Sequence, residues 1–311
     1  MHKTKISFFV LFFSFLSSAQ IKEVRRITEQ LCSAEFHGRG YVKKGDSIAA
    51  AFLADEFKKY GIAPFNGNYF QSFSLDVNTF PGKMSVSQNG KQLIPGKEFV
   101  INPSATGDKT TYQLREITVD DILDLAKIRS IVQMEKSNTI QNTALLIDFT
   151  LLAGDTLKKV RGIAQELATV LPVVEVIDTK FTWSVGREQS YFPYLEVQKE
   201  VIDKTAPLTI DIEAQLVKNY QSQNVMAYIP AKKKCAKTVM FTAHYDHLGR
   251  MGVDTYFPGG NDNASGTAML FTMANYFKNN PPDFNLLFVA FAGEEAGLVG
   301  SEYFVNNPPL K

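Results

Sequence analysis

The stretch TVMFTAHYDHLG, residues 238–249, predicts an apolar strand followed by a polar loop that carries two histidines and an aspartate. Residues 225–229 predict an earlier strand, and the downstream periodicity predicts a helix over 264–277 and a strand over 285–291. Strands that alternate with helices in this way are typical of α/β folds. The sequence therefore predicts an α/β domain with a mixed, largely parallel sheet, whose ligand site lies where loops leave the strands.

Three polar segments hold candidate metal ligands, and each follows a strand or opens a helix. They are AHYDHLG at 243–249, GNDNASG at 260–266 and AGEEAG at 292–297. Taken singly, they are explained as a surface histidine, a helix N-cap and a solvated glutamate pair. Together they favour a metal site, and imidazole and carboxylate donors without a thiolate suit zinc, manganese or cobalt.

Each polar residue has a place in such a site. His244 follows a strand and points out of its end, and Asp246 is placed to fix the orientation of a ligating imidazole. Asp262 heads a helix, where a carboxylate is favoured and can be shared by two metal ions. Glu294 and Glu295 are adjacent and face different directions, so one can bind metal while the other takes a proton from the attacking water.

These motifs resemble the signature of the co-catalytic zinc exopeptidases, the superfamily of bacterial leucyl aminopeptidase, glutamate carboxypeptidase and the transferrin receptor ectodomain. The resemblance covers about 21–80 and 218–311. It implies a three-layer α/β peptidase domain and a site for two zinc ions. It also implies a zinc-dependent exopeptidase that acts on peptide substrates, and the segment around Asp262 favours an aminopeptidase.

The resemblance also implies a role for each motif residue. His244 would bind one zinc ion, Asp262 would bridge the two ions, and Glu295 would bind the other. The catalytic residues would be Glu294 as the general base and Asp246 as the group that orients His244.

Two ligands of the family pattern, an aspartate and a histidine downstream of Glu295, have no counterpart in this chain, because residues 296–311 contain neither type. His247 has no role in the family pattern and is interpreted as a residue of the loop wall. We therefore expect an N-terminal fragment that lacks the C-terminal part of the peptidase domain, binds zinc poorly and is inactive.

Two other functions remain open. One is a non-catalytic binding ectodomain of the same fold, as in the transferrin receptor, and the retained His244 and Asp262 argue against it. The other is a single-zinc enzyme similar to glutaminyl cyclase, and the intact Glu294 and Glu295 pair favours hydrolysis over it.

The domain organisation follows from changes of pattern along the chain. Residues 20–83 and 218–311 are predicted to form the peptidase domain. Between them, 84–217 has short strands and one clear helix, 157–171, and is predicted to be an inserted α+β domain that loosely resembles the protease-associated insert.

Residues 1–19 are predicted to be a signal peptide, because Lys3 and Lys5 precede an apolar stretch at 6–16 and small residues follow it. We therefore expect a periplasmic or secreted protein with no membrane anchor after cleavage. The loop 33–44 has glycines beside Arg39, which indicates a structural turn or a substrate contact.

Composition excludes several classes of protein. Lys and Arg total 33 against 32 Asp and Glu, for a net charge of +1 without a basic run, which argues against nucleic acid as a partner. The two cysteines, Cys32 and Cys235, are too few for a disulfide scaffold or a cysteine-rich zinc site.

Overall fold

The computed structural model describes residues 20–137, 142–235 and 237–309. The predicted signal peptide lies outside these residues. Within them, no helix is both long and apolar enough to cross a membrane.

The described residues contain both helices and strands. The helices are α1 (20–31), α2 (Gly45–Lys59), α3 (Val119–Leu123), α4 (Leu125–Ser137), α5 (Gly154–Leu167), α6 (Ser265–Asn279) and α7 (Val299–Asn306). The strands are β1 (Ala63–Pro64), β2 (Phe70–Thr79), β3 (Met84–Gln88), β4 (Lys91–Gln92), β5 (Phe99–Ile101), β6 (Asp108–Ile117), β7 (Thr143–Asp148), β8 (Val173–Ile177), β9 (Tyr194–Gln198), β10 (Leu208–Ile212), β11 (Gln215–Ile229), β12 (Thr238–His244), β13 (Arg250–Met251), β14 (Thr255–Tyr256) and β15 (Asn285–Phe291).

The chain divides into two compact units. The first consists of residues up to Leu75, Gln221–Gly249 and Tyr256 onward. The second consists of Asp76–Tyr220 and Arg250–Thr255. The interval predicted to be inserted, 84–217, falls inside the second unit.

The first unit is built on a five-stranded sheet in which β1, β11, β15 and β12 follow one another and β2 also pairs with β11. The α/β class and the mixed sheet are confirmed. Parallel pairing is less extensive than predicted, because β12 and β15 are parallel but β11 is antiparallel to both β1 and β15. The physical reason is that a continuously apolar strand shows burial on both faces but does not encode its direction.

Helices cover both faces of this sheet. On one face Phe288 of β15 stacks on Phe241, which in turn stacks on Phe277 of α6. On the other face Leu287 belongs to a buried cluster with Phe304 of α7. This arrangement of helix, sheet and helix is the predicted three-layer domain, and it explains why β15 is apolar at successive positions.

The second unit is built on an eight-stranded sheet in the order β4-β3-β10-β6-β7-β8-β9-β5. The pairs β6–β7, β7–β8 and β8–β9 are parallel, whereas the outer pairs are antiparallel. Helices α3, α4 and α5 lie in the connections between the central strands. The likeness of this unit to a protease-associated insert stays a prediction.

An acidic pair lies on β8 and β9, where the buried Glu175 and the half-buried Glu196 are register partners. Glu175 is fully buried and accepts hydrogen bonds from Arg161 Nε at 3.1 Å and from the Tyr194 hydroxyl at 2.6 Å. Burial and the neighbouring Glu175 carboxylate raise the pKa of Glu196 to about 7, although Arg161 opposes the shift.

We therefore expect the Glu196→Gln variant to be more stable than the wild type at pH 8 and equal to it near pH 4.5. The pKa of Glu196 is higher in the folded protein than in the unfolded chain, so stability is lost as the pH rises through 7. For each unit by which the folded pKa exceeds the unfolded one, the wild type loses about 1.4 kcal/mol of its free energy of unfolding. Because Glu196 is partly exposed, we expect the total difference from the variant at pH 8 to be about 2 kcal/mol.

Urea unfolding at the two pH values measures this difference. Glu166→Gln is the matched control, because Glu166 is an exposed glutamate on α5 of the same unit. A Glu196→Gln variant that gains no stability at pH 8 contradicts a raised pKa of Glu196 in the folded protein.

Candidate metal centre

Parallel pairing of β12 and β15 brings two of the polar segments to one edge of the sheet. His244 is the register partner of Phe291, so both strands end together. The pairing continues for one more residue, since the Tyr245 amide donates to the Phe291 carbonyl at 2.8 Å. The loops that begin at Tyr245 and Ala292 therefore leave the same edge.

The third polar segment joins this edge through Asp262, which lies in the irregular turn Gly260–Ala264 before α6. Its Oδ1 atom is 3.0 Å from Nε2 of His244. The His244 main chain is fixed by the Thr267 hydroxyl, which donates to the His244 carbonyl at 2.8 Å. The imidazole side chain is 14% exposed and the Asp262 side chain is 67% exposed, so the pair opens to solvent on the aspartate side.

Asp246 links the histidine loop to the glutamate loop. It is fully buried, and its two oxygens accept hydrogen bonds from the backbone amides of Glu294 and Glu295, both at 3.3 Å. Its Oδ1 atom is 3.7 Å from Nδ1 of His244, which is longer than a hydrogen bond. In this structure Asp246 therefore holds the glutamate loop directly and contacts the imidazole more loosely.

Glu294 and Glu295 are adjacent, but their side chains differ in exposure and in contacts. Glu294 Oε2 is 3.8 Å from His244 Nδ1, and the Glu294 side chain is 37% exposed. Glu295 is 14% exposed, and its Oε1 atom is 2.6 Å from Nδ1 of His247. Glu294 is thus open to water, whereas Glu295 is held in place.

The clustered carboxylates shift the pKa values of the site. Burial alone would lower the pKa of His244, but Asp246, Glu294 and Asp262 outweigh it and raise that pKa to about 9. Burial raises the pKa of Glu294, His244 opposes this shift, and Glu295 and the two aspartates add to it. Without a metal ion His244 is therefore protonated at neutral pH, and a metal that binds it must displace the proton.

Arg39 ties the loops of this edge together, and its role was not evident from the sequence. Its guanidinium is fully buried and donates to the carbonyls of Tyr245 at 2.7 Å, Leu31 at 2.9 Å, Pro258 at 2.7 Å and Gly259 at 2.8 Å. It is therefore a structural clamp behind the site, and the alternative of a substrate contact by Arg39 does not agree with this burial.

The glycines around Arg39 allow its loop to lie against the histidine loop. A Cβ atom on Gly40 would be 2.4 Å from the Cα of Gly249, so no larger residue fits there. The Gly249 amide donates to the Gly38 carbonyl at 3.0 Å. Close backbone approach thus explains the glycine content of the loop.

The donor atoms present are of the types that bind zinc, but they are fewer than a catalytic zinc site needs. His244 offers an imidazole beside the Asp262 carboxylate, and its buried Nδ1 has no hydrogen-bond partner within the described residues. Glu295 offers a further carboxylate. Across residues 20–137, 142–235 and 237–309, however, no group of three or more His, Cys, Asp or Glu side chains is arranged to hold a metal ion. Catalytic zinc normally has three protein ligands.

Comparison with known proteins shows a similarity between this part of the chain and one protein family. The profile of Peptidase family M28 matches residues 224–311, the interval that contains all three polar segments. Residues 224–311 are therefore similar to Peptidase family M28. Aminopeptidase YwaD of Bacillus subtilis is 39% identical over 90 residues, which are 29% of this chain and 18% of that protein.

Solved structures extend the likeness beyond residues 224–311 at the level of the fold. An aminopeptidase from Aneurinibacillus sp. strain AM-1 superposes with a TM-score of 0.58 at 20% identity, covering 92% of this chain and 66% of that one. The zinc aminopeptidase BSAP from Bacillus subtilis gives a TM-score of 0.59 at 18% identity, covering 92% and 64%. The chain thus spans slightly less than two thirds of these structures, and less than one fifth of YwaD is aligned to it.

Proposed function

We propose that this protein is a zinc-dependent aminopeptidase that removes N-terminal residues from peptides. The observation that carries the proposal is the contact of 3.0 Å between His244 Nε2 and Asp262 Oδ1, at the sheet edge from which the loop of Glu294 and Glu295 also leaves. The M28 match and the named aminopeptidases support it.

In this proposal His244, Asp262 and Glu295 would hold zinc, and Asp262 would serve as a ligand to both ions of a two-metal site. Zinc bound there would lower the pKa of a water molecule and polarise the peptide carbonyl. Glu294, the more exposed glutamate, takes the proton of the attacking water and passes it to the leaving amine. Asp246 holds the two glutamates through their backbone amides.

We also propose that the ligands completing the site lie outside these 311 residues. The chain corresponds to 64% of the BSAP structure, so a third of that fold has no counterpart in the alignment. In addition, among the described residues β12 pairs with β15 on one side only, and its other side is suited to pairing with a further strand. Val239 and Met240 of β12 are 39% and 45% exposed, whereas parallel strands are normally covered on both faces. We further propose that residues 1–19 are a signal peptide that directs export of the protein.

Peptides with blocked ends test the reaction. The protein purified from its native source is incubated with a free peptide, its N-acetylated form and its C-amidated form, before and after treatment with dipicolinate. We expect release of the N-terminal residue from the free and amidated peptides only. Chelation should abolish this activity and added zinc should restore it.

The other outcomes identify the alternatives. Cleavage of the acetylated peptide but not of the amidated one would indicate a carboxypeptidase. Loss of ammonia from a peptide with N-terminal glutamine, without cleavage, would indicate a cyclase. Absence of turnover from zinc-loaded protein would favour a non-catalytic ectodomain.

A further inference from the structure

His247 occupies a junction of the three loops that carry the polar segments. It lies three residues after His244 and is 9% exposed, and its backbone amide donates to the Arg39 carbonyl at 3.3 Å. Its Nδ1 atom is 2.6 Å from Oε1 of Glu295, which belongs to the loop after β15. The side chain therefore joins two loops that are 48 residues apart in the sequence.

The His247 ring is held on a second side by Gly259, which precedes Asp262 by three residues. A Cβ atom on Gly259 would be 2.3 Å from Cδ2 and 2.5 Å from Cγ of the ring. The imidazole thus packs directly on glycine backbone that no larger residue could form. The Gly259 carbonyl is itself bound by Arg39 Nη2 at 2.8 Å, so the surface behind the ring is fixed.

We propose that His247 is a positioning residue that orients the Glu295 carboxylate for metal binding. Nδ1 donates to Oε1, and the carboxylate is left with its second oxygen free to serve as a ligand. A hydrogen bond of this kind fixes the direction of a ligand and commonly changes metal affinity by 10- to 100-fold. The inference rests on the proposed function, since it assigns Glu295 to a metal ion.

Three substitutions of His247 separate positioning from packing. His247→Leu removes the donor. His247→Asn places an amide nitrogen where Nδ1 stands, and His247→Gln places its amide nearer to the position of Nε2. Each change is introduced into the chromosomal gene, and zinc affinity is measured on the purified protein by competition with a chelator. We expect affinity to fall by about 10- to 100-fold in the Leu and Gln variants and to be largely restored in the Asn variant.

Tyr245→Phe is the matched control. Tyr245 lies on the same loop as His247. The substitution removes the hydrogen bond of 2.7 Å that the Tyr245 hydroxyl donates to the Gln223 carbonyl on β11, and it does not alter the contact with Glu295. Tyr245→Phe should lower the unfolding midpoint but leave zinc affinity unchanged.

Each outcome decides the inference separately from the proposed function. A wild-type protein that binds no zinc contradicts the proposed function itself. A wild type that binds zinc, with equal affinity in the Leu variant, overturns the role of His247. Equal loss in the Asn and Gln variants also overturns it, because the ring would then act by packing alone. If the Leu variant fails to fold, the comparison of Asn with Gln still decides.

Discussion

Replacement of Glu294 by glutamine is expected to lower kcat by about 10²- to 10⁴-fold, the range of a general acid–base contribution. The zinc content should stay at the wild-type value. Glutamine keeps the size and polarity of the side chain but cannot accept the proton of the attacking water. Because Glu294 is not assigned to a metal ion, its loss should affect the chemical step and not zinc binding.

The environment of the two glutamates supports this assignment. The Glu294 side chain is 37% exposed, whereas Glu295 is 14% exposed and bound by His247. A general base needs access to the attacking water, which suits the exposed Glu294. A metal ligand needs a fixed orientation, which suits the less exposed Glu295. Steady-state kinetics and elemental analysis of the variant purified from its native source measure the two effects.

Glu302→Gln provides the control, because Glu302 is an exposed glutamate of α7 in the same unit, and it should leave kcat unchanged. Wild-type kcat in Glu294→Gln would contradict the assignment of the base. Loss of zinc together with activity would instead make Glu294 a ligand.

The second large effect is expected at Arg39. Arg39→Met should lower the free energy of unfolding by about 3–5 kcal/mol, because several buried carbonyls lose their hydrogen-bond donor at once. Methionine keeps the apolar stem but leaves the carbonyls of Tyr245, Pro258 and Gly259 without their donor. Each buried carbonyl left without a partner costs about 1–3 kcal/mol.

The same substitution should reduce zinc content, because those carbonyls belong to the loops that carry His244 and Asp262. Urea unfolding and elemental analysis measure the two effects. Arg25→Met is the control, since Arg25 is an exposed arginine on α1, and it should change stability by less than about 0.5 kcal/mol. Wild-type stability in Arg39→Met would show that the clamp contributes little.

Elements with strong local patterns were predictable from the sequence. The strand predicted at 285–291 is β15, Asn285–Phe291, because an uninterrupted apolar run is bounded by turn residues on both sides. The helix predicted at 264–277 is α6, Ser265–Asn279, because its apolar residues recur at helical spacing. In contrast, α4 was not predicted, and only Ile128 and Ile131 are buried on it.

The interactions that support the site were not predictable in the same way. His247 contacts Glu295 across 48 residues, and Arg39 contacts Tyr245 across 206 residues. Such contacts depend on tertiary packing, which residue spacing does not encode. The motif residues themselves were found because each follows a strand or precedes a helix. The structure brings His244 to Asp262 and pairs Glu295 with a residue to which the family pattern gave no role.

The zinc content of the protein purified from its native source, measured by elemental analysis for the wild type and for Asp262→Asn, tests the central claim most directly. The Asp262 side chain is 67% exposed, so the variant should fold. We expect about two zinc ions per wild-type molecule, as in two-metal hydrolytic sites, and close to none in the variant, because both ions would share this carboxylate in the proposed site. A wild type that neither contains nor takes up zinc, or a variant that keeps its full zinc content, would contradict the account.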